Sequence, residues 1–232
     1  MGSSGSASFC FCLLQVLFLS SLLPTTESMK AAGNSMKGIK VILPRPRSHW
    51  VGDGFHVYPV FADKAFTNEL SPFLMFDYGA PKQFPANNPK KLGVGQHPHR
   101  GFETITVAFQ GEVEHADSMG NRGVIGEGDV QWMTAGRGIV HEEFHSQKFA
   151  KAGGAFEMCQ LWLNLPKEHK MTPPRYQPIL KNEITTSPLY LHAADACGAP
   201  ADPAEGGVRV IAGSFMGVKG PASTFTQVRV CV

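Results

Sequence analysis

Residues 92–144 read LGVGQHPHRGFETITVAFQGEVEHADSMGNRGVIGEGDVQWMTAGRGIVHEEF. In this stretch, short apolar runs are separated by ten glycines, which lie between Gly93 and Gly138. Glycine adopts the positive φ angles of tight turns without steric cost, so this spacing predicts short strands joined by hairpins. No helical periodicity extends far enough to predict a long amphipathic helix. The stretch therefore predicts an all-β sandwich or barrel.

The sequence before this stretch continues the same pattern. Residues 56–61 and 72–78 are short apolar runs that end in turn residues, as β-strands do. The whole chain has 232 residues, of which 43% are hydrophobic, and its formal net charge is +2. This charge is too small for a dedicated binder of nucleic-acid phosphates, and the apolar content is too high for a disordered chain. We therefore expect a folded protein that does not bind nucleic acid directly.

The N-terminal segment differs from the rest of the chain. Residues 9–23 (FCFCLLQVLFLSSLL) are nearly all apolar, but they are too few for a membrane-spanning helix, which needs about 20. A signal-like or targeting segment is one interpretation, although no Lys or Arg precedes Lys30; the other is a chain that starts at Met29 or Met36. We expect a secretory or organellar protein if residues 1–28 form a presequence, and a cytoplasmic or nuclear protein otherwise. Neither interpretation includes a stable membrane span.

Two histidines at the start of the quoted stretch have the spacing of metal ligands. His97 and His99 occupy positions i and i+2, and on a β-strand such side chains point to the same face, about 6–7 Å apart. If the strand continues without a break, Glu103, Ile105, Val107 and Phe109 point to that face as well. The expected arrangement is a pair of polar ligands above an apolar floor, as in a metal site inside a barrel.

His141 and Glu143 repeat the same spacing, and His141 lies 44 residues after His97. Three imidazoles and one carboxylate suit Fe(II), with Mn, Ni, Cu and Zn as alternatives. Because the chain has nine histidines, one such pair arises easily by chance, so surface or core histidines are the competing interpretation. The histidines without a paired partner are expected at the surface, namely His49, His56, His115, His169 and His192.

Three longer motifs carry a resemblance to a known family. They are HPHRGFET at 97–104, GDVQWMTAGRGIVHEE at 128–143 and QLWLNLP at 160–166. Together they resemble the pirin family of the cupin superfamily. The resemblance implies a jelly-roll β-barrel whose iron ligands are His97, His99, His141 and Glu143. For Glu103 it implies a supporting role, either in orienting a ligand histidine or as an alternative base.

The resemblance also implies a domain organisation, the bicupin, in which two such barrels follow one another. We expect the signal-like segment over 1–35, the metal-bearing barrel over 36–166 and a linker over 167–185. Residues 186–232 are expected to form part of a C-terminal barrel, which the motif GVRVIAG at 207–213 resembles. The second barrel is expected to be incomplete.

Two alternative functions follow from the resemblance. The first is an O2-dependent quercetin or flavonol 2,4-dioxygenase, in which Glu143 is a metal ligand and also the base that accepts the substrate's hydroxyl proton. Its partners would be a flavonol-like molecule and O2, and its cofactor Fe(II). The second is a non-enzymatic, redox-sensitive iron protein that binds a transcription factor and regulates it.

Overall fold

The computed structural model describes residues 41–62, 68–88, 90–189 and 206–232. β-Strands dominate these ranges, which confirms the expected all-β fold. Across the same ranges, no helix combines the length and the apolar character needed to cross a membrane. The expected signal-like segment at 1–35 lies outside the described residues.

The larger of two main sheets has seven strands, each antiparallel to its neighbours. From edge to edge its order is β1 (His49–Val51), β2 (Phe55–Phe61), β3 (Phe73–Phe84), β10 (Gly154–Asn164), β5 (Phe102–Gln110), β8 (Val130–Thr134) and β11 (Arg175–Ile179). The runs at 56–61 and 72–78 correspond to β2 and β3. The central strand β10 pairs with β3 on one side and with β5 on the other.

The smaller main sheet faces the larger one. Its order is β4 (Gly93–His99), β9 (Ile139–His145), β6 (Val113–Asp117) and β7 (Arg122–Ile125). In β9 the odd-numbered residues are buried and the even-numbered residues are exposed or half-buried, so one face of this sheet is packed. That face meets the larger sheet, because Glu143 of β9 accepts hydrogen bonds from β5, β8 and β10. The two sheets form a sandwich of the jelly-roll kind.

Apolar side chains fill part of the space between these sheets. The buried cluster consists of Phe55, Val57, Ala108, Val113, Ile125, Phe149, Phe156 and Met158. Phe149 comes from a short helix, α1 (Gln147–Ala152), which follows β9 directly. The helix begins after Ser146, whose Oγ accepts a 3.0 Å hydrogen bond from the Phe149 backbone N–H and so caps its first turn.

The expectation of one continuous strand through His97, His99 and Glu103 is wrong. β4 ends at His99, and β5 begins at Phe102 in the other sheet. Between them Gly101 has a φ of 80°, a conformation that glycine adopts without strain and that redirects the chain. The alternation of side chains therefore restarts, and the even-numbered residues of β5 point into the sandwich. Glu103, Ile105 and Val107 point to the opposite face and do not form the floor of the site.

Residues 167–185, the expected linker, contribute β11 to the larger sheet, between 3-10 helices at Lys167–His169 and Lys181–Glu183. Residues 184–189, 206–223 and Gln227–Val232 form a second compact unit. This unit contains a three-stranded sheet, made of β12 (Thr186–Leu189), β13 (Gly206–Ala212) and β16 (Val230–Cys231). It also contains a hairpin, made of β14 (Ser214–Phe215) and β15 (Val218–Lys219). The expected domain limits, 36–166 and 186–232, and the expected second barrel stay predictions.

Candidate metal centre

Pairing between β4 and β9 brings three histidines together. His97 lies directly opposite His141 in this register, and His99 follows two residues later on β4. The ring centroids are 4.3 Å apart for His97 and His141, and 4.8 Å apart for His99 with either of the other two. One ligand nitrogen of each ring lies within 4.8 Å of the others. This three-histidine cluster is the candidate metal centre.

The hydrogen bonds of these rings leave nitrogen lone pairs free for a metal. The Nδ1 of His97 donates to the Gly95 carbonyl oxygen over 2.8 Å, so its Nε2 carries the lone pair. The Nε2 of His141 is buried and has no hydrogen-bond partner among the described residues, while its Nδ1 lies 3.3 Å from the Nδ1 of His115. A buried, unpartnered polar atom is costly unless a ligand satisfies it, and an imidazole nitrogen is a preferred metal ligand.

Burial keeps two of the three rings neutral at physiological pH. Desolvation, followed by the neighbouring His97, lowers the pKa of His141 from 6.5 to about 3. Desolvation, followed by His141 and His97, lowers the pKa of His99 to about 4. Metal binding requires the neutral imidazole. At neutral pH no extra proton on His99 or His141 would have to leave before a metal binds.

Glu143 lies on the same face of β9 as His141 and is 5% exposed. Its carboxylate accepts hydrogen bonds from the Nε2 of Gln160 at 3.0 Å, from the hydroxyl of Thr106 at 3.4 Å and from the Nε2 of Gln131. These donors hold Glu143 outside the group of three ligand nitrogens. A carboxylate has about four acceptor sites, so these contacts leave about one for a further partner.

Glu103, the other carboxylate considered from the sequence, lies elsewhere. It is fully buried, and its Oε1 accepts a 2.6 Å hydrogen bond from the hydroxyl of Thr134. Burial raises the pKa of Glu103, although Thr134 opposes this effect. Its position on the outward face of β5 separates it from the three histidines. A role for Glu103 as an orienting residue or an alternative base stays a prediction.

His115, which the sequence analysis assigns to the surface, is fully buried beside the site, so that expectation is wrong. β6 pairs with β9, and this pairing places His115 opposite Glu143 and Asp117 opposite His141. The signal was present in the sequence, because His115 and Asp117 have the same i, i+2 spacing as the other two pairs. Of the remaining histidines, His49 is exposed, whereas those at 56 and 169 are half-buried and that at 192 lies outside the described residues.

Two aromatic residues border the cluster on the side of His99. The rings of Phe102 and Trp162 lie 5.1 Å and 5.2 Å from the His99 ring and 4.6 Å from each other. Both residues are half-buried, as are His97 and His99, whereas His141 and Glu143 are buried. The site therefore has a buried polar end and a more accessible aromatic end.

A comparison with known families agrees with this geometry. Residues 54–163, which include the three histidines and Glu143, match the sequence model of the family described as Pirin. Residues 54–163 form a pirin domain. This match confirms the resemblance carried by the three sequence motifs, and with the all-β structure it assigns the chain the cupin fold of that family.

Relatives of this chain include two curated proteins. It is 49% identical over 195 residues to a candidate quercetin 2,3-dioxygenase of Pseudomonas aeruginosa, a match that covers 84% of this chain and 64% of the relative. It is 42% identical over 134 residues to Pirin-1 of Arabidopsis thaliana, which covers 58% of this chain and 40% of the relative.

Solved structures show the same relationship. A quercetin 2,3-dioxygenase from Acinetobacter baumannii is 50% identical with a TM-score of 0.71, and the match covers 81% of this chain and 60% of that one. The protein GK1651 from Geobacillus kaustophilus is 32% identical with a TM-score of 0.59, covering 81% of this chain and 64% of that one. This chain spans less than two thirds of the length of each of these four relatives.

The pirin family binds a metal, and the residues of this chain fit one. The deciding observation is the buried Nε2 of His141, which has no other partner. The Nε2 of His97 and the ring of His99 complete a set of nitrogen donors, and Glu143 can supply one oxygen. Neutral imidazoles with a carboxylate are the donors that divalent first-row transition metals prefer.

Proposed function

We propose that this chain is a metal-dependent dioxygenase that cleaves a flavonol-like substrate with O2. The observation that carries the proposal is the three-histidine cluster, in which the Nε2 of His141 is buried and free. The substrate class is supported by two bacterial relatives, each of which is named as a quercetin 2,3-dioxygenase. We propose the same 2,4-cleavage of the flavonol ring that the sequence analysis expects, with a flavonol-like molecule as the substrate.

The aromatic end of the site suits a planar, aromatic substrate. Phe102 and Trp162 present neighbouring rings beside His99, and both are accessible enough to contact a bound molecule. The indole N–H of Trp162 donates to the Oε1 of Gln160 at 3.1 Å, which fixes the orientation of the indole ring. Aromatic rings stack favourably in offset or edge-to-face arrangements, so these two residues would hold a flavonol ring against the metal centre.

Glu143 is proposed as the base and as the fourth metal ligand. Gln131, Gln160 and Thr106 fix the carboxylate, and its remaining acceptor site can receive the hydroxyl proton of the substrate. The carboxylate is buried between the two sheets, where water does not compete strongly for that proton. A shift of Glu143 toward His141 would bring one of its two carboxylate oxygens to the metal and leave the other to accept the proton.

Fe(II) is the proposed metal, held by His97, His99, His141 and Glu143. When bound, it would supply Lewis acidity toward the substrate hydroxyl and the ability to react with O2. The protein residues supply the rest, since they orient the substrate, accept its proton and exclude water from the buried end.

Oxygen uptake with quercetin tests this function. The metal-free chain would be loaded with Fe(II), and oxygen consumption would be followed together with the loss of quercetin absorbance. We expect His97→Ala to lower the rate by at least about 100-fold, because it removes a ligand of the metal on which the reaction depends. The exposed His49 provides the matched control, and His49→Gln should keep the wild-type rate.

Two outcomes would overturn the dioxygenase. One is equal oxygen consumption by the wild type and His97→Ala, and the other is tight metal binding without any quercetin turnover. The second outcome would favour the alternative of a non-enzymatic iron protein that binds a transcription factor.

A further inference from the structure

A second layer of polar residues stands behind His141, on β6. The Nε2 of His115 lies 3.1 Å from the Oδ2 of Asp117, and the Nδ1 of His115 lies 3.3 Å from the Nδ1 of His141. The side chains of His115 and Asp117 are fully buried. The three residues therefore form a continuous row of hydrogen-bonding groups that ends at the free Nε2 of His141. We call these residues the Asp117–His115–His141 row.

Asp117 is held firmly at the start of the row. Its Oδ1 accepts from the backbone N–H groups of Met119 at 2.9 Å and of Asn121 at 3.0 Å. The side-chain amide of Asn121 donates to both carboxylate oxygens, at 3.1 Å and 2.9 Å. A carboxylate surrounded by N–H donors acts only as an acceptor, so the His115 nitrogen that faces it must carry a proton.

The positions of the remaining protons follow from this first one. A neutral imidazole has one N–H and one bare nitrogen, so His115 with its proton on Nε2 has a bare Nδ1. Two nitrogens 3.3 Å apart share one proton favourably, and here the only ring left to supply it is His141. His141 therefore carries its proton on Nδ1, and the lone pair of its Nε2 points away from β6.

Tyr176 of β11 fixes the plane of the middle ring. Its ring stacks on His115 with the centroids 4.5 Å apart and the planes 11° from parallel. The Tyr176 hydroxyl donates over 3.4 Å to the Oε1 of Gln131, and the Nε2 of Gln131 donates to Glu143. This stacking limits rotation of the His115 ring about its side-chain bonds.

We propose that Asp117 and His115 are positioning residues, which set the tautomer of His141 so that its Nε2 is presented to the metal. The inference rests on the metal site of the proposed function, and it adds two residues that do not touch the metal. Groups that hydrogen-bond to the outer nitrogen of a ligand histidine fix its tautomer, and their loss usually costs about 10–100-fold in metal affinity.

The tautomers can be read directly in the metal-free protein. Long-range 1H–15N NMR spectra of the histidine rings identify which nitrogen of each ring carries the proton. In the wild type we expect protonation of His141 on Nδ1 and of His115 on Nε2. In Asp117→Asn the proton of His115 is no longer fixed, so both rings should show mixed tautomers.

Co(II) affinity, measured by titration calorimetry and by the visible spectrum of the bound ion, provides the second measurement. We expect Asp117→Asn to weaken Co(II) binding about 10–100-fold. Glu114→Gln is the matched control, because Glu114 lies on the same strand and pairs with Lys91 at 3.5 Å instead of with the histidines. The control should keep both the wild-type tautomers and the wild-type affinity.

Each outcome decides the inference. Wild-type His141 protonated on Nε2 would overturn it whether or not any variant folds, and would leave the proposed dioxygenase intact if Co(II) still binds. Asp117→Asn that lowers stability but keeps the His141 tautomer and the Co(II) affinity would also overturn it, since only a structural role would remain. A wild type that binds no Co(II) would contradict the proposed function and this inference together.

Discussion

Histidines 141 and 145 show how the surroundings of a residue decide its use. Both are buried on the same face of β9, at 1% and 3% exposure. The Nε2 of His141 has no protein partner, whereas the Nε2 of His145 donates to the Gly54 carbonyl oxygen at 2.9 Å. The ring of His145 packs against four phenylalanines, Phe55, Phe84, Phe149 and Phe156. His145 is thus satisfied within the core, and of these two histidines His141 is the one whose Nε2 can bind a metal.

Glu112 gives a residue-scale prediction about acid stability. Burial of Glu112 raises its pKa, but hydrogen bonds from Lys148 at 2.7 Å and from Ser146 at 2.5 Å lower it, and the net result is a lowered pKa. A carboxyl whose pKa is lower in the folded state stabilises the fold above its unfolded pKa of about 4.3, and this contribution disappears as the pH falls through the folded value. We expect Glu112→Gln to lower the free energy of unfolding at neutral pH by at most about 1 kcal/mol, because solvent screens the pair.

Urea unfolding at about pH 7 and about pH 3 measures this difference between the wild type and Glu112→Gln, which should be smaller at the lower pH because Glu112 begins to bind a proton there. Glu127→Gln is the control, since Glu127 forms only a 3.8 Å exposed pair with Lys181. A difference between the wild type and Glu112→Gln that persists unchanged at about pH 3 would contradict a role for the ionised carboxylate.

At the scale of elements, the close pairing of β4 with β9 positions the ligand histidines. Gly93 lies opposite Phe144 in this pairing. A methyl group at Gly93 would lie 2.2 Å from the Glu143 carbonyl oxygen and 2.5 Å from the Phe144 Cα, whereas a methyl group at Gly95 would meet nothing within 4 Å. The two strands approach this closely because residue 93 has no side chain.

We therefore expect Gly93→Ala to destabilise the fold by about 1–3 kcal/mol, since backbone atoms must move apart to admit the methyl group. Gly95→Ala, two residues away on the same strand, should change the free energy of unfolding by no more than about 0.5 kcal/mol. Urea unfolding of both variants at neutral pH gives the comparison. Equal losses in the two variants would mean that the contact at position 93 does not limit the approach of the strands.

The same elements show what local sequence patterns can predict and what they cannot. The i, i+2 spacing correctly placed His97 with His99 on one face of a strand, and His141 with Glu143 on one face of another, because side-chain alternation is a local property of a strand. The pattern failed across Gly101, since one residue with positive φ redirected the chain into the other sheet. The spacing of His115 and Asp117 is visible in the sequence, but their approach to His141 depends on the pairing of β6 with β9, which are distant segments of the chain.

β11 shows the same limit in a different form. Residues 175–179 (RYQPI) follow two prolines and lack an apolar run, and they lie within the linker that the family resemblance implies. In the structure they pair with β8 through register contacts from Arg175–Thr134 to Ile179–Val130. Tyr176 reaches His115 because of this pairing. Backbone pairing at a sheet edge thus recruits a segment whose own composition does not predict a strand.

At the scale of the whole molecule, the candidate metal centre links segments that are far apart in the chain. His97 and His99 come from β4 and His141 comes from β9, while Glu143 is bound by residues of β5, β8 and β10. The histidine cluster exists only when β4 and β9 are paired, because the unfolded chain does not hold these rings together. Metal binding and folding of this unit are therefore thermodynamically coupled.

This coupling predicts a measurable gain in stability. A ligand that binds only the folded state adds about 2.7 kcal/mol to the free energy of unfolding at 100 times its dissociation constant. We expect Co(II) at that excess to stabilise the wild type by about this amount in urea titrations, and a chelator to reverse the effect. His141→Gln should lose most of the gain, because it removes the only ligand nitrogen of the cluster that is buried without a partner, whereas His49→Gln at an exposed position should keep it. Equal stabilisation of His141→Gln and the wild type would show that Co(II) binds elsewhere, and the three-histidine cluster would then not be the metal site.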